Sequence, residues 1–185
     1  MSNIIKKTAE ELLSAMNQDS EQKKNELVST INNHSLNAVA AGLIPIPLAD
    51  LAALTVNVWH MYVKINKILG ISFKDNMMKS IASAVIANLS GNLLGVGAAG
   101  LLKLIPGAAI TVGLLIAATD YAVCTSSAWV YLNALTILTK ENNNIAEDSQ
   151  IEGKLKRIIK ESKKQQNQIA KDAKAEYTKE HKDDK

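Results

Sequence analysis

The chain is poor in four things: cysteine, arginine, aromatic residues and, through its middle, charge of either sign. A single cysteine, Cys124, excludes an intramolecular disulfide and leaves no thiolate zinc site. In an apolar setting it reads as a small buried hydrophobe. Twenty of the 21 basic residues are Lys, with Arg157 the exception. Arg is the favoured residue for bidentate base contacts, and the net charge is only +3, so no nucleic acid is expected as a partner. Aromatics make up 4% of the residues and hydrophobics 47%, mostly Ala, Leu and Ile, which favours helices over sheet. No GxxxxGK[ST], HExxH, CxxC or GxSxG run occurs. His34, His60 and His181 lie far apart without ligand spacing, and His34 is expected in a solvated loop. These gaps predict a protein that is not an enzyme and that needs no cofactor or metal. The opening MSNIIKKTAEELL places acids where the apolar run of a secretory leader would begin, so any membrane entry is expected to use internal segments.

What the chain does have is a greasy centre. Residues 35–140 carry nine charges, six Lys and three Asp, whereas residues 141–185 carry 21 in near balance. A mean hydropathy near zero is therefore the average of an apolar middle and a wet tail. Within the middle, Ile81 to Leu138 forms two apolar arms around Leu104-Ile105-Pro106-Gly107. The first arm sets small residues at a four-residue step: Ser83, Ala87, Gly91, Gly95 and Ala99. On a helix these nearly align and let a second backbone approach closely. Gly91 and Gly95 form the GxxxG known from membrane helix pairs, although a tight helix pair in a soluble core would use it too. Pro106 removes a helical hydrogen bond and Gly107 permits positive φ, so a turn is predicted there. The second arm, Ala108 to Leu138, exceeds the roughly 20 apolar residues a bilayer demands. Its length equally suits burial in a bundle.

The remaining chain divides around this centre. Residues 1–34 read as an N-terminal amphipathic helix with Ile5, Ala9, Leu12, Leu13 and Met16 on one face. Asp19 to Asn25 interrupts it, and Asn32-Asn33-His34 is the expected break. Residues 35–140 are the hydrophobic helical-hairpin domain. Its first hairpin turns at Ile44-Pro45-Ile46-Pro47, since Pro45 and Pro47 cannot sit inside a helix. A return helix follows from Leu48 to Leu69, with Gly70 as its C-cap. Residues 141–185 form a charged helical tail with Ile151, Leu155, Ile158, Ile159 and Ile169 as a thin apolar stripe.

Two acids sit inside apolar arms. Asp50 and Asp120, with Lys103 near the second turn, are candidate intramembrane polar residues, since a carboxylate in lipid is costly and often functional. Helix-end or interface placement is the plainer reading. Asp50, Ala52, Thr55 and Trp59 match Asp120, Ala122, Thr125 and Trp129 at an offset of 70, a weak internal repeat. Trp59 and Tyr62 near one helix end, and Trp129 and Tyr131 near the other, suit anchors at a lipid–water boundary, or core aromatics of a bundle. Lys64, Lys67, Lys74, Lys79 and Lys140 lie on the connector side, so both termini are expected in the cytoplasm by the positive-inside rule.

The run GLIPIPLADLAALTVNVWHMYVKINKILG, the Gly-rich arm, the LIPGAAITVG turn and ATDYAVCTSSAWVYL together resemble a bacterial domain family of unknown function. Its members include the YcjF-like inner-membrane proteins, and a related domain is appended to some Era-like GTPases. The resemblance covers roughly residues 36–135, and no GTPase half is present. The family's Thr-Tyr dipeptide stands here as Thr119-Asp120-Tyr121. The resemblance implies membrane association and no activity. The expected protein is all-α, with two apolar helical hairpins at Ile-Pro turns. It would be a non-enzymatic scaffold or partner-recruiting module in a bacterial inner membrane. The lipid bilayer is its expected partner, with self-association or a protein partner through the terminal helices. The alternative is a cytoplasmic soluble bundle binding a protein or lipid; a pore-forming hairpin protein is the third reading.

Overall fold

The computed structural model describes residues 3–41, 49–89, 109–142 and 145–181. It is all-α, as the composition demands: seven α-helices, one short 3-10 helix and no strand among the described residues. The helices are α1 (Asn3–Ala15), α2 (Glu21–Ala41), α3 (Ala49–Leu69), α4 (Asp75–Asn88), α5 (Ala109–Glu141), α6 (Ile151–Glu161) and α7 (Lys163–Glu180); the 3-10 helix is Ile145–Glu147.

Periodicity places most of them. Ile5, Ala9, Leu12 and Leu13 of α1 are all buried, the face the spacing predicts. The first helix does not continue to residue 34, however. Asn17 takes a left-handed φ of 53°. Its N–H reaches the Ser14 carbonyl at 3.0 Å, and the Gln18 N–H reaches Leu13 at 2.9 Å. That pair of bonds is a Schellman stop, with Asn in the place usually held by Gly. Ser20 then opens α2, its Oγ accepting from the Lys23 N–H at 3.3 Å. The polar stretch expected as an interruption is therefore mostly the first turn of α2. The break expected at Asn32-Asn33-His34 is also absent, and α2 runs through it. Asn and His lower helix propensity by well under 1 kcal/mol each, which burial of Leu27, Ile31 and Ala38 on the same helix outweighs.

Gly70 ends α3 as expected. It has φ +71°, its N–H bonds Lys67 at 3.3 Å, and the Ile71 N–H bonds Asn66 at 2.9 Å. The charged tail is two helices, not one, meeting at Ser162. Its expected stripe is buried: Ile151, Leu155, Ile158 and Ile159 on α6 and Ile169 on α7, joined by Ala170, Ala173 and Tyr177.

Helix α5 is the axis of the molecule. It packs on each of the other six helices. Every residue from Ile116 to Leu132 is buried. A helix apolar all round can exist only where neighbours cover every face, and amphipathic α1, α2 and α7 supply the most extensive of those faces.

The turn residues Pro45, Pro47, Pro106 and Gly107 lie outside the described residues, as do Gly91, Gly95, Ala99 and Lys103. Ser83 and Ala87, the described members of the small-residue stripe, are exposed on α4.

Candidate functional site

Two features stand out once the helices are assembled: a polar seam beside α5, and the length of α5 itself. The seam begins where α2 meets α3. Asn57 Nδ2 donates to the His34 carbonyl at 2.8 Å, which leaves its Oδ1 to accept from His34 Nδ1 at 2.9 Å. The lone pair of the ring is then on Nε2, which is buried without a hydrogen-bond partner among the described residues. Asn57 Nδ2 also lies 3.5 Å from Cys124 Sγ on α5. On the next residue of both α2 and α5, the hydroxyls of Ser35 and Thr125 share a hydrogen bond at 3.1 Å.

The seam continues between α3 and α5. Tyr62 Oη donates to the Ser127 carbonyl at 2.9 Å. Tyr131 Oη donates to Asn66 Oδ1 at 2.7 Å, and Asn66 Nδ2 points at Met78 Sδ at 3.1 Å. The two tyrosine rings stack with centroids 4.1 Å apart. Partners stay 65 to 67 residues apart in sequence from Asn57 to Asn66, so α3 and α5 run parallel. Buried polar atoms paired in this way fix register, because sliding either helix would strand them.

His34 is thus not a loop histidine. It is 5% exposed, in the middle of α2. Burial pushes its imidazole below the ordinary histidine value, and the charges of Lys64 and His60 push the same way; the Asn57 hydrogen bonds oppose.

The four aromatic residues expected at a lipid–water boundary do not share one environment. Tyr62 and Tyr131 are 0% exposed and hydrogen-bonded inside the bundle. Trp129 is 7% exposed. Trp59 is half-buried, with the Lys79 ammonium 4.4 Å from its ring centroid and the His60 ring tilted against it at 4.5 Å. The placement has a plain cause: Tyr62 and Tyr131 face each other across the α3–α5 pair, so their hydroxyls find acceptors within it. Asp120 is buried on α5, 4% exposed. The Asp50 side chain lies outside the described residues. Cys124 is fully buried, the small hydrophobe expected of it.

The seam's other members, His34, Ser35, Asn57, Asn66 and Thr125, were not anticipated. A signal existed: Asn57 and Asn66 are the two amide side chains of α3, and Thr125-Ser126-Ser127 is a hydroxyl cluster inside the apolar arm. No group of three or more His, Cys, Asp or Glu that could hold a metal occurs among the described residues. The seam holds helices together; it presents no nucleophile paired with a base.

The second feature is reach. Gly113–Glu141 is one continuous helical stretch of 29 residues, long and apolar enough to cross a bilayer, and 89% of its apolar window is buried by the other helices. The core helix of a soluble bundle meets the same description.

No family model matches the chain, so the resemblance to YcjF-like proteins gains no support from that comparison. No solved structure matches. The chain is 35% identical over 103 residues to magnetosome membrane protein 22 of Magnetospirillum gryphiswaldense. The alignment takes in 50% of this chain and 51% of that protein, so the chain spans about half the length of the curated relative it matches.

Proposed function

We propose that the chain is a non-enzymatic, membrane-associated helical module of a bacterial inner membrane. In this reading α5 and the apolar segment before it are the lipid-directed element. The charged helices α6 and α7 and the amphipathic α1 are the cytoplasmic part, which recruits a partner or a second copy. The observation that carries the proposal is α5: one apolar helix of spanning length held at the centre of a sheath of amphipathic helices. The name of the magnetosome relative and the resemblance to YcjF-like proteins both point the same way. Neither supplies an activity.

One observation favours a second reading, a soluble bundle that binds a protein or lipid partner. The polar groups of α5 at Thr125, Ser127 and Tyr131 are hydrogen-bonded within the described helices, so α5 is already provided for without a bilayer. Alkaline carbonate washing of membranes separates the two. Retention of the protein in the pellet is the outcome expected for insertion. Release as a monodisperse species without detergent would overturn insertion and leave α5 as a protein core.

A further inference from the structure

The outward side of α3 has a composition that solvent alone does not call for. Its exposed residues are Ala52, Val56, His60, Val63, Lys64 and Lys67, which follow one another at helical steps of three and four and so make a single face. Val56 is 47% and Val63 37% exposed, two of the few large hydrophobics left open among the described residues. An ordinary solvated helix face would carry mixed charges there. This one carries two branched apolar side chains, the His60 ring and two lysines, with no exposed acid among its described residues. Lys79 crosses from α4 to sit over the half-buried ring of Trp59, adding a third ammonium beside the same face, and Lys74 is exposed in the connector between them. From the start of α3 to the end of α4 the sequence holds four lysines, Lys64, Lys67, Lys74 and Lys79, and two acids, Asp50 and Asp75. Among the described residues the face is therefore apolar, rimmed by an indole and by lysines, and nearly free of acid.

We infer that this face of α3, with Lys79 of α4, docks flat on an anionic bilayer surface, Val56 and Val63 entering the headgroup boundary while Lys64, Lys67 and Lys79 meet lipid phosphates. Helices that lie in the interface have this arrangement: an apolar strip, an aromatic at the boundary and lysines at the rim. Charge complementarity selects the partner, because anionic lipid attracts basic residues and a neutral bilayer does not. The docking rests on the membrane association proposed above and stands in place of α5 insertion, since α3 runs parallel to α5 and cannot lie flat while α5 spans. It orients the bundle so that the α3–α4 side faces lipid.

The test is flotation of the full-length protein with vesicles of phosphatidylcholine alone and of phosphatidylcholine with about one third phosphatidylglycerol. The expected result is capture by the anionic vesicles, weakened by salt. In the triple variant K64Q/K67Q/K79Q the affinity should fall by about a hundredfold, roughly fivefold per lysine. The matched variant K163Q/K164Q/K171Q, which removes three exposed lysines from α7, should bind as the wild type does. Equal capture by the two lipid compositions overturns the docking face, as does equal loss in the two triple variants. Failure of both vesicles to capture the protein, together with a change of oligomeric state in V56S/V63S, would assign the face to a second copy of the chain instead. Retention after carbonate washing with lysine-independent flotation would leave α5 insertion standing and this face refuted. Lysine-dependent flotation of a protein that carbonate releases would do the reverse.

Discussion

Helices α3 and α5 lie side by side, parallel, and carry a similar run of Asp, Ala, Thr and Trp, yet the bundle treats them differently. Helix α5 is buried on every side from Ile116 to Leu132. Helix α3 hides Leu54, Val58, Met61, Tyr62, Ile65 and Leu69 and leaves Val56, His60, Val63 and Lys64 outside. The difference lies in the neighbours. Among the described helices α5 is packed by all six others, while α3 packs chiefly on α2, α4 and α5. Similar local sequence therefore becomes a core axis in one place and a two-faced wall in the other. The wall has an inside held by hydrogen bonds and an outside able to meet something else.

That contrast can be broken most severely at the tyrosine stack. Tyr131→Ala on α5 removes a fully buried ring, its stacking on Tyr62 and its bond to Asn66, and should cost about 3–5 kcal/mol. Val63→Ser on the outer side of α3 should cost no more than about 0.5 kcal/mol. Urea denaturation measures both; similar losses would mean that α3 is as enclosed as α5. An intermediate effect is expected from Asn57→Ala, which strands the buried His34 ring and removes the side-chain bond to its carbonyl at the α2–α3–α5 junction. The expected loss is about 1–3 kcal/mol, and a loss near zero would show that the seam does not hold the helices in register.

The smallest effect is acidic. His34 binds its proton less readily in the fold than in the unfolded chain, its value lying below the ordinary 6.5 because burial penalises the charge. The unfolded state therefore binds more protons in this window, so stability rises with pH. His34 contributes fully above about 6.5, and its contribution is lost as pH falls through the lower folded value. Thermal melting followed from pH 7.5 down to about 5 should show a slope that is shallower in His34→Gln. Identical slopes would place His34 in contact with water.

Much of the fold could be read ahead of the coordinates. The stripe of α1, the end of α3 at Gly70 and the apolar stripe of the tail all follow from local rules of spacing and φ. The errors came where a local signal was weak beside a distant one. Asn32-Asn33-His34 looks like a break because its residues are polar. His34, however, meets Asn57, 23 residues away, and a few tenths of a kcal/mol of propensity do not resist such packing. The α1 stop was missed for a related reason: Asn17 is a rarer left-handed residue than glycine. The tyrosines suited a membrane boundary as single residues, and only their pairing across two helices places them inside.

The sequence by itself determined that this protein is helical, that its centre is apolar and its tail wet, and which face of each amphipathic helix turns inward. Those are properties of spacing along one chain, set by a 3.6-residue turn and the exclusion of apolar surface from water. Tertiary structure alone decided which apolar helix becomes the axis and which keeps an open face. It also decided which polar side chains become a seam. Those outcomes depend on how many neighbours surround each helix, and on partners 12 to 90 residues away whose hydrogen bonds exist only once the helices have met.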